Sequence, residues 1–423
     1  MKVLVVNYRY FVSGGPERYL FNIISVFQEN NHSIIPFSIK NNKNMQSHFE
    51  SDFMDSIHND AVYYEQFRLW NFRSSIKALF RMVYSFEARK KIGNLIRKEQ
   101  PDLVYILHFQ NKISCSILDE ISRFKIPIVH RVSDFGLICA NGLFFRPVDN
   151  TVCEKCLHGS NFNAISHKCI KDSYALSAIK VLSLFIQRLR NINSQIDAFV
   201  VPSVFTLNKL AEAGIERNKL NHIPTFFKFS ESKNDLSLKY QSFALYVGRI
   251  EPEKGIKTMI DAFVEINKPL KIIGFSGSGY EKDMKEYLGN KNHQIEFLGK
   301  MDFSDVKTYL SSCLFTIAPS EWYDNLPNSV LESFAYKKAV VASDIGSLKE
   351  LITHNETGLL YEKGNSKSLI KAAEKMFSDV AFSKSLGQKA YVQINTLYSE
   401  KEHYSKLITL FESLIKNNTK ISF

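Results

Sequence analysis

Short apolar runs recur along the chain, separated by stretches whose apolar positions fall three and four apart. Lys2–Asn7, Ser33–Ile39, Asp102–Leu107, Ile126–His130 and Ala198–Val201 form one set, each short enough for a buried strand. The pattern restarts at Ser242–Val247 and continues through Leu270–Ile273, Ile295–Leu298, Leu314–Ala318 and Ala339–Ala342. Strands alternating with helical patterns predict parallel sheets covered by helices on both faces. The expected fold class is α/β, with two Rossmann-like doubly wound domains facing each other across a cleft. Between the two sets lie Ile223-Pro224-Thr225 and the polar stretch Ser230–Lys239, where the linker is expected. Tyr398–Lys416 reads as a late amphipathic helix.

The first strand leads into Ser13-Gly14-Gly15-Pro16 and then a helical pattern through Leu20, Ile23, Ile24 and Phe27. Pro16 suits a first helical position. In the second half, Arg249 and Lys254 stand on the loop after the strand ending at Val247. That edge is where open α/β sheets bind ligands, and two cations there suit a diphosphate; a solvated loop is the alternative. Asp324 and Glu332 stand eight apart, with Asn325-Leu326-Pro327 between them resembling a helix start. Free N–H groups at such a start attract anions, and Glu332, about one turn in, suits a ribose diol. A capped surface helix is the alternative. The segment from Gly346 through Glu350 to Gly358 repeats the turn-and-helix theme. Gly274, Gly277 and Gly279 lack the dinucleotide-fingerprint spacing and read as a tight turn.

"HRVSDFG", from His130 to Gly136, contains pieces of a protein kinase, but Val132 follows Arg131 where a catalytic Asp would be needed. The kinase reading fails. The net charge of +11 favours an anionic partner. No nucleic-acid-binding module is present to use it, so no nucleic acid is expected. From Arg68 to Lys98 there are nine Lys or Arg against one acid, Glu87. Arg73, Lys77 and Arg81 fall on one helical face, with Ile76, Leu79, Phe80 and Val83 on the other. That pattern suits an anionic membrane surface or a core-packed helix with a solvated basic face.

Cys139, Cys153, Cys156 and Cys169 are spaced C-x13-C-x2-C-x12-C. No secretory leader or membrane-length apolar run is evident, so the expectation is a cytoplasmic protein with reduced thiols. A structural zinc on these four is one reading; free thiols or a disulfide pair are the others. Cys115 and Cys313 read as small buried residues.

Gly248-Arg249 with Lys254-Gly255, together with Asp324 and Glu332, make the chain resemble the retaining glycosyltransferases of the GT-B fold, the large group four family (glycosyl transferases group 1). The resemblance extends over nearly the whole chain, Gly14-Gly15 included. It implies an N-terminal acceptor-binding domain over 1–224, a nucleotide-sugar-binding domain over 240–397, and a helix from about 398 to 423 packing back on the first. It implies a UDP- or GDP-linked sugar donor, no catalytic metal, and a glycan or polyprenyl-linked acceptor in surface polysaccharide synthesis. The inner face of the plasma membrane would be the place of work. Donor binding falls on Gly14, Gly15, Arg249, Lys254, Asn325, Leu326 and Glu332. Catalysis falls on Asp324, Glu332, Asp134 and His108. Aligned on "DFGLIC", Asp134 takes the family's Asp and Ser133 stands where the usual His would be. His108 and His130 end neighbouring strands and are the histidines in reach, a core or surface place being the alternative for each. Ser133 and Asp324 also fit a partner protein that kept the fold without activity. A nucleotide-sugar epimerase shares the fold. Lys337 and Ala339 stand where the family commonly has Gly and Pro.

Overall fold

The computed structural model describes residues 1–57, 78, 81–110, 112–146, 148–228 and 241–421. The expected linker core, Ser230–Lys239, and most of the basic segment, including Arg73, Ile76, Lys77, Leu79 and Phe80, lie outside the described residues.

The first sheet is built from β1 (Lys2–Val6), β2 (Ser33–Phe37), β3 (Leu103–Ile106) and β4 (Ile128–Arg131). A small hairpin of β5 (Phe145–Arg146) and β6 (Thr151–Val152) interrupts the series, and β7 (Ala198–Val201) and β8 (Leu220–His222) complete it. The order is β2-β1-β3-β4-β7-β8, with every pairing parallel. Alternate side chains enter opposite cores. Leu4, Val6, Val104 and Ile106 pack on one face, and Val3, Val5, Leu103 and Tyr105 on the other. Burial on both faces is why these strands read as unbroken apolar runs rather than as alternations. Pro36 is tolerated because β2 is an edge strand.

The second sheet repeats the plan. It contains β9 (Ala244–Val247), β10 (Leu270–Ile273), β11 (Ile295–Gly299), β12 (Phe315–Ala318), β13 (Val340–Ser343) and β14 (Gly358–Tyr361), in the order β11-β10-β9-β12-β13-β14. Its pairings are also parallel. Two strands differ from the sequence reading. Leu220–His222 is too short to announce itself. Gly358 opens a strand rather than repeating a turn-and-helix; a Cβ there would lie 2.2 Å from the Val340 carbonyl oxygen, so glycine permits the β13–β14 approach.

The last helix, Glu400–Ile421, returns to the first sheet, where Leu407 and Phe411 join the core of Val3 and Val5. His403 bonds the Pro224 carbonyl oxygen at 2.7 Å and the Tyr19 hydroxyl at 2.9 Å. The chain therefore crosses between the halves twice, and the crossings touch: the Phe227 N–H donates to the Tyr398 carbonyl at 3.1 Å.

The described part of the basic segment is divided: Arg81 packs inward, while Lys90, Arg97 and Lys98 are exposed. Arg81 is 2% exposed, paired with Glu87 at 2.8 Å and bonded to the Asp55 carbonyl. The helix Phe86–Glu99 buries Ile92, Leu95 and Ile96, and its Arg89 pairs with Glu120 at 2.8 Å.

Candidate functional site

In each sheet the chain leaves the first strand in one direction and later returns to its other side. The crevice at that reversal, outside the carboxyl ends of the strands, is where such sheets take ligands. In the second sheet it lies between the loops after β9 and β12. The β9 loop carries Arg249 and Lys254. Gly255, at φ +66, lets it press against the β12 loop, for a Cβ would meet the Pro319 carbonyl oxygen at 1.9 Å. Lys254 Nζ lies 2.6 Å from Asp324 Oδ1 and 5.0 Å from the centre of the Trp322 ring. Asp324 Oδ2 accepts from Ser320 Oγ at 2.6 Å. Arg249 pairs with Glu253 at 2.9 Å. Both cations and Asp324 thus lie in ion pairs.

Glu332 sits on the helix Asn328–Ala335, which begins one residue after Pro327. Its carboxylate is buried, and burial pushes its pKa up while Arg18 pulls it down. Arg18 comes from the first domain, on the helix Gly15–Glu29, and its Nη1 reaches Glu332 Oε1 at 2.7 Å. Gly14 precedes that helix with an extended backbone. At Gly15 the halves meet closely: a Cβ would lie 2.5 Å from Asn328 Nδ2.

Asn325 and Leu326 have other work. Asn325 Nδ2 donates to the Val132 carbonyl at 2.8 Å, and its Oδ1 accepts from Thr206 Oγ1 at 2.7 Å, so its side chain joins the two halves. Leu326 packs against the core cluster under the same helix. Glu350 also joins the halves. Its Oε2 accepts from the Val204 N–H at 2.8 Å and its Oε1 from the Phe205 N–H, capping the helix Val204–Glu212 from the opposite domain. Phe205 and Tyr323 pack beside it with their rings tilted by 55°, centres 4.6 Å apart. The Gly274–Gly279 turn folds around a resident carboxylate: Glu251 accepts from the Gly277 N–H at 2.7 Å and the Ser278 hydroxyl at 2.5 Å.

On the first-domain side, His108 Nε2 lies 3.9 Å from Asp134 Oδ2, and the ring packs 4.8 Å from Tyr8. Burial lowers the His108 pKa, with Asp134 opposing. Ser133 turns inward, donating to the Leu107 carbonyl at 3.1 Å and accepting from Arg131 at 3.1 Å. His130 is a core histidine: its Nδ1 meets the Ile106 carbonyl, Phe109 and Phe199 pack edge-on, and burial pushes its pKa down to about 4. Lys180 interrupts the apolar run Tyr174–Leu189. It is fully buried, with its pKa pushed down to about 8 by burial and held up by Asp134.

The expected zinc tetrad is not formed. The four thiols share a neighbourhood, each of Cys139, Cys153 and Cys169 acting on Cys156, whose pKa is raised to about 12, chiefly by burial. Cys139 Sγ instead donates to Asn141 Oδ1 at 3.0 Å, while Cys156 packs among Ala140, Ala164, Val181 and Leu184. Among the described residues, the potential ligand atoms that gather within 4.8 Å belong to Glu154, His158 and Glu212. Lys209 already pairs with that group, 2.7 Å from Glu154 and 3.1 Å from Glu212. Cys115 and Cys313 are buried, as their surroundings in the sequence suggest.

Among the described residues, no helix is long and apolar enough to cross a membrane. Residues 228–393 match the family Glycosyl transferases group 1. An uncharacterised glycosyltransferase of Methanocaldococcus jannaschii is 31% identical over 147 residues, 35% of this chain and 41% of that protein. The capsular polysaccharide biosynthesis glycosyltransferase CapM of Staphylococcus aureus is 24% identical over 204 residues, 46% of this chain and 53% of its own. The chain thus spans about half the length of these curated relatives. In three dimensions the likeness runs end to end. Sucrose-phosphate synthase from Thermosynechococcus elongatus superposes with a TM-score of 0.69 at 15% identity, over 98% of this chain and 99% of that one. Anabaena HepE in complex with UDP-glucose gives 0.65 at 14%, over 97% and 99%. The two parallel sheets across a cleft are the GT-B architecture, and within it residues 228–393 carry the match to the glycosyl transferases group 1 family.

Proposed function

We propose that the protein transfers a sugar, with retention, from a UDP- or GDP-linked donor to a glycan or lipid-linked acceptor in surface polysaccharide biosynthesis. The observation that carries this reading is the gathering of Arg249, Lys254, Asp324 and Glu332 around the crevice of the second sheet, opposite Gly15. A nucleoside diphosphate offers these groups new partners. Its phosphates would replace Asp324 and Glu253 as partners of the two cations, and its ribose diol would donate to Glu332. Asp324, released, would face the sugar. Asp134 and His108 at the crevice of the first sheet stand on the acceptor side. Catalysis would rest on positioning and on stabilising charge at the leaving diphosphate, which also serves as base. The HepE complex with UDP-glucose and the capsular role named for CapM favour this donor and acceptor class.

Thermal denaturation with UDP, GDP, ADP and CMP, each near millimolar, tests the donor reading, because a ligand of the folded state raises the melting temperature by mass action. A rise with one diphosphate is expected, and no rise with any would overturn the reading. The anomeric configuration of the product, followed by NMR, decides retention. A non-catalytic partner is favoured by one observation, the inward-turned Ser133 at the place of a histidine. Absence of any donor turnover alongside firm nucleotide binding would establish it.

A further inference from the structure

Arg18 is not among the residues that the proposed reaction requires, yet it reaches across the cleft. It leaves the first-domain helix Gly15–Glu29, passes over the Phe303 ring at 5.2 Å, and ends on Glu332 at 2.7 Å. Its own side chain is 37% exposed and its partner's is 5% exposed. The grip is on one oxygen, Oε1. A carboxylate has about four lone-pair positions, so accepting one guanidinium N–H leaves it able to accept two hydroxyls.

We propose that Arg18 is a positioning residue for the nucleotide site, reaching from the other domain to hold and orient the Glu332 carboxylate for the ribose diol. The inference rests on the donor reading above. Its consequence is that the nucleotide site of the second domain is complete only when the first domain closes on it. Two further features support it. Gly15, three residues before Arg18, sits against the Asn328 side chain, whose Nδ2 lies 2.5 Å from where a Cβ would stand, so the helix start is seated where the arginine can reach. Among the described residues, Arg18 is the charged group that acts on Glu332, whose burial otherwise favours the neutral acid. A neutral acid carries an O–H where the ribose needs an acceptor.

The test is calorimetric titration of the full chain with UDP and, in parallel, GDP, from pH 5.5 to 8.5. The proteins are wild type, Glu332→Ala, Arg18→Ala, Arg18→Gln and Arg18→Lys. With the diphosphate that wild type binds, Arg18→Ala is expected to weaken affinity about tenfold near neutrality, the scale of one lost charged hydrogen bond. The loss should shrink as pH rises, because Glu332 without its arginine regains charge only at higher pH. Comparison with wild type at each pH removes the nucleotide's own titration. Arg18→Lys should restore most of the affinity and flatten the profile. If Arg18→Ala does not fold, Arg18→Gln, which keeps the first three carbons and a polar end without the charge, supplies the same comparison. A variant that binds like wild type at every pH, or a loss constant with pH and not rescued by lysine, overturns the role of Arg18. Those results leave the donor reading intact if Glu332→Ala loses affinity. If wild type binds neither diphosphate, or Glu332→Ala binds normally, the donor reading falls first and this inference with it.

Discussion

Lys254 Nζ and Asp324 Oδ1 lie 2.6 Å apart, with the two side chains 16% and 9% exposed. The pair joins the β9 loop to the β12 loop at the mouth of the second-sheet crevice. Removing one partner strands a largely buried charge, at a typical cost of about 3 kcal/mol, whereas removing both does not. Lys254→Ala should therefore unfold at lower urea than Asp324→Asn/Lys254→Ala. In the proposed site the lysine also meets the donor diphosphate, so the single variant should bind UDP or GDP more weakly. Paired unfolding and titration experiments check both, and an unchanged nucleotide affinity would refute the assigned role.

Glu350 caps a helix of the opposite domain, so its loss should be felt as loosened closure. Glu350→Ala removes the acceptor for the Val204 and Phe205 N–H groups. The expected destabilisation is about 1–2 kcal/mol, the range for a lost helix cap. Hydrogen exchange at Val204 and Phe205 should rise while β9 and β10 keep their protection. Unchanged exchange at those two amides would show that the cap is not made in solution.

Acid should destabilise the fold through two core histidines. Burial pushes His130 down to about 4 and His403 down to about 3, with hydrogen bonds to the Ile106 and Pro224 carbonyls opposing. The unfolded chain takes up protons near pH 6.5 and the folded chain only at the lower values, so stability falls with falling pH across that window. Each histidine contributes about 1.4 kcal/mol per pH unit. Urea unfolding between pH 6.5 and 4 should show the slope, and His403→Phe should reduce it by up to about 1.4 kcal/mol per pH unit. A slope equal to wild type in that variant would exclude His403 as a source.

Lys337 has φ +57, in the left-handed region that costs a side-chain-bearing residue about 1 kcal/mol or more. Gly387 packs under this turn, where a Cβ would stand 2.1 Å from the Lys337 carbonyl oxygen. Lys337→Gly should relieve the backbone but lose the contact of the ammonium with the Tyr391 ring at 5.0 Å. The net expectation is a gain of a few tenths to about 1 kcal/mol in unfolding free energy. A loss of stability would mean that the cation–ring contact outweighs the backbone strain.

The two sheets were legible because strands buried on both faces leave continuous apolar runs with little else to explain them. β8 and β14 were not: three residues make too short a run, and Gly358 imitates a turn. The β9 loop and Glu332 could be placed because chain order alone puts them after strands at one crevice. The side-chain partners could not. Arg18 to Glu332 and Glu350 to Val204 join residues more than 140 positions apart, and nothing local marks either end. The cysteine spacing suggested a tetrad, but Cys139 and Cys156 turned toward apolar neighbours. Lys337 stands where the resembling family commonly has glycine, and the positive φ there is one that glycine adopts freely and lysine only at a cost.

The return of Glu400–Ile421 to the first sheet also sets an order of events during synthesis. Val3 and Val5 leave the ribosome early, but the Leu407 and Phe411 side chains that cover them emerge some four hundred residues later. Domains generally fold as units in the order they are made, and here that order is broken. The helix Gly15–Glu29 covers part of the face carrying Val3 and Val5 early, through Leu20, Ile23 and Phe27, but the rest waits until the second domain has been translated. The half that is begun first is finished last.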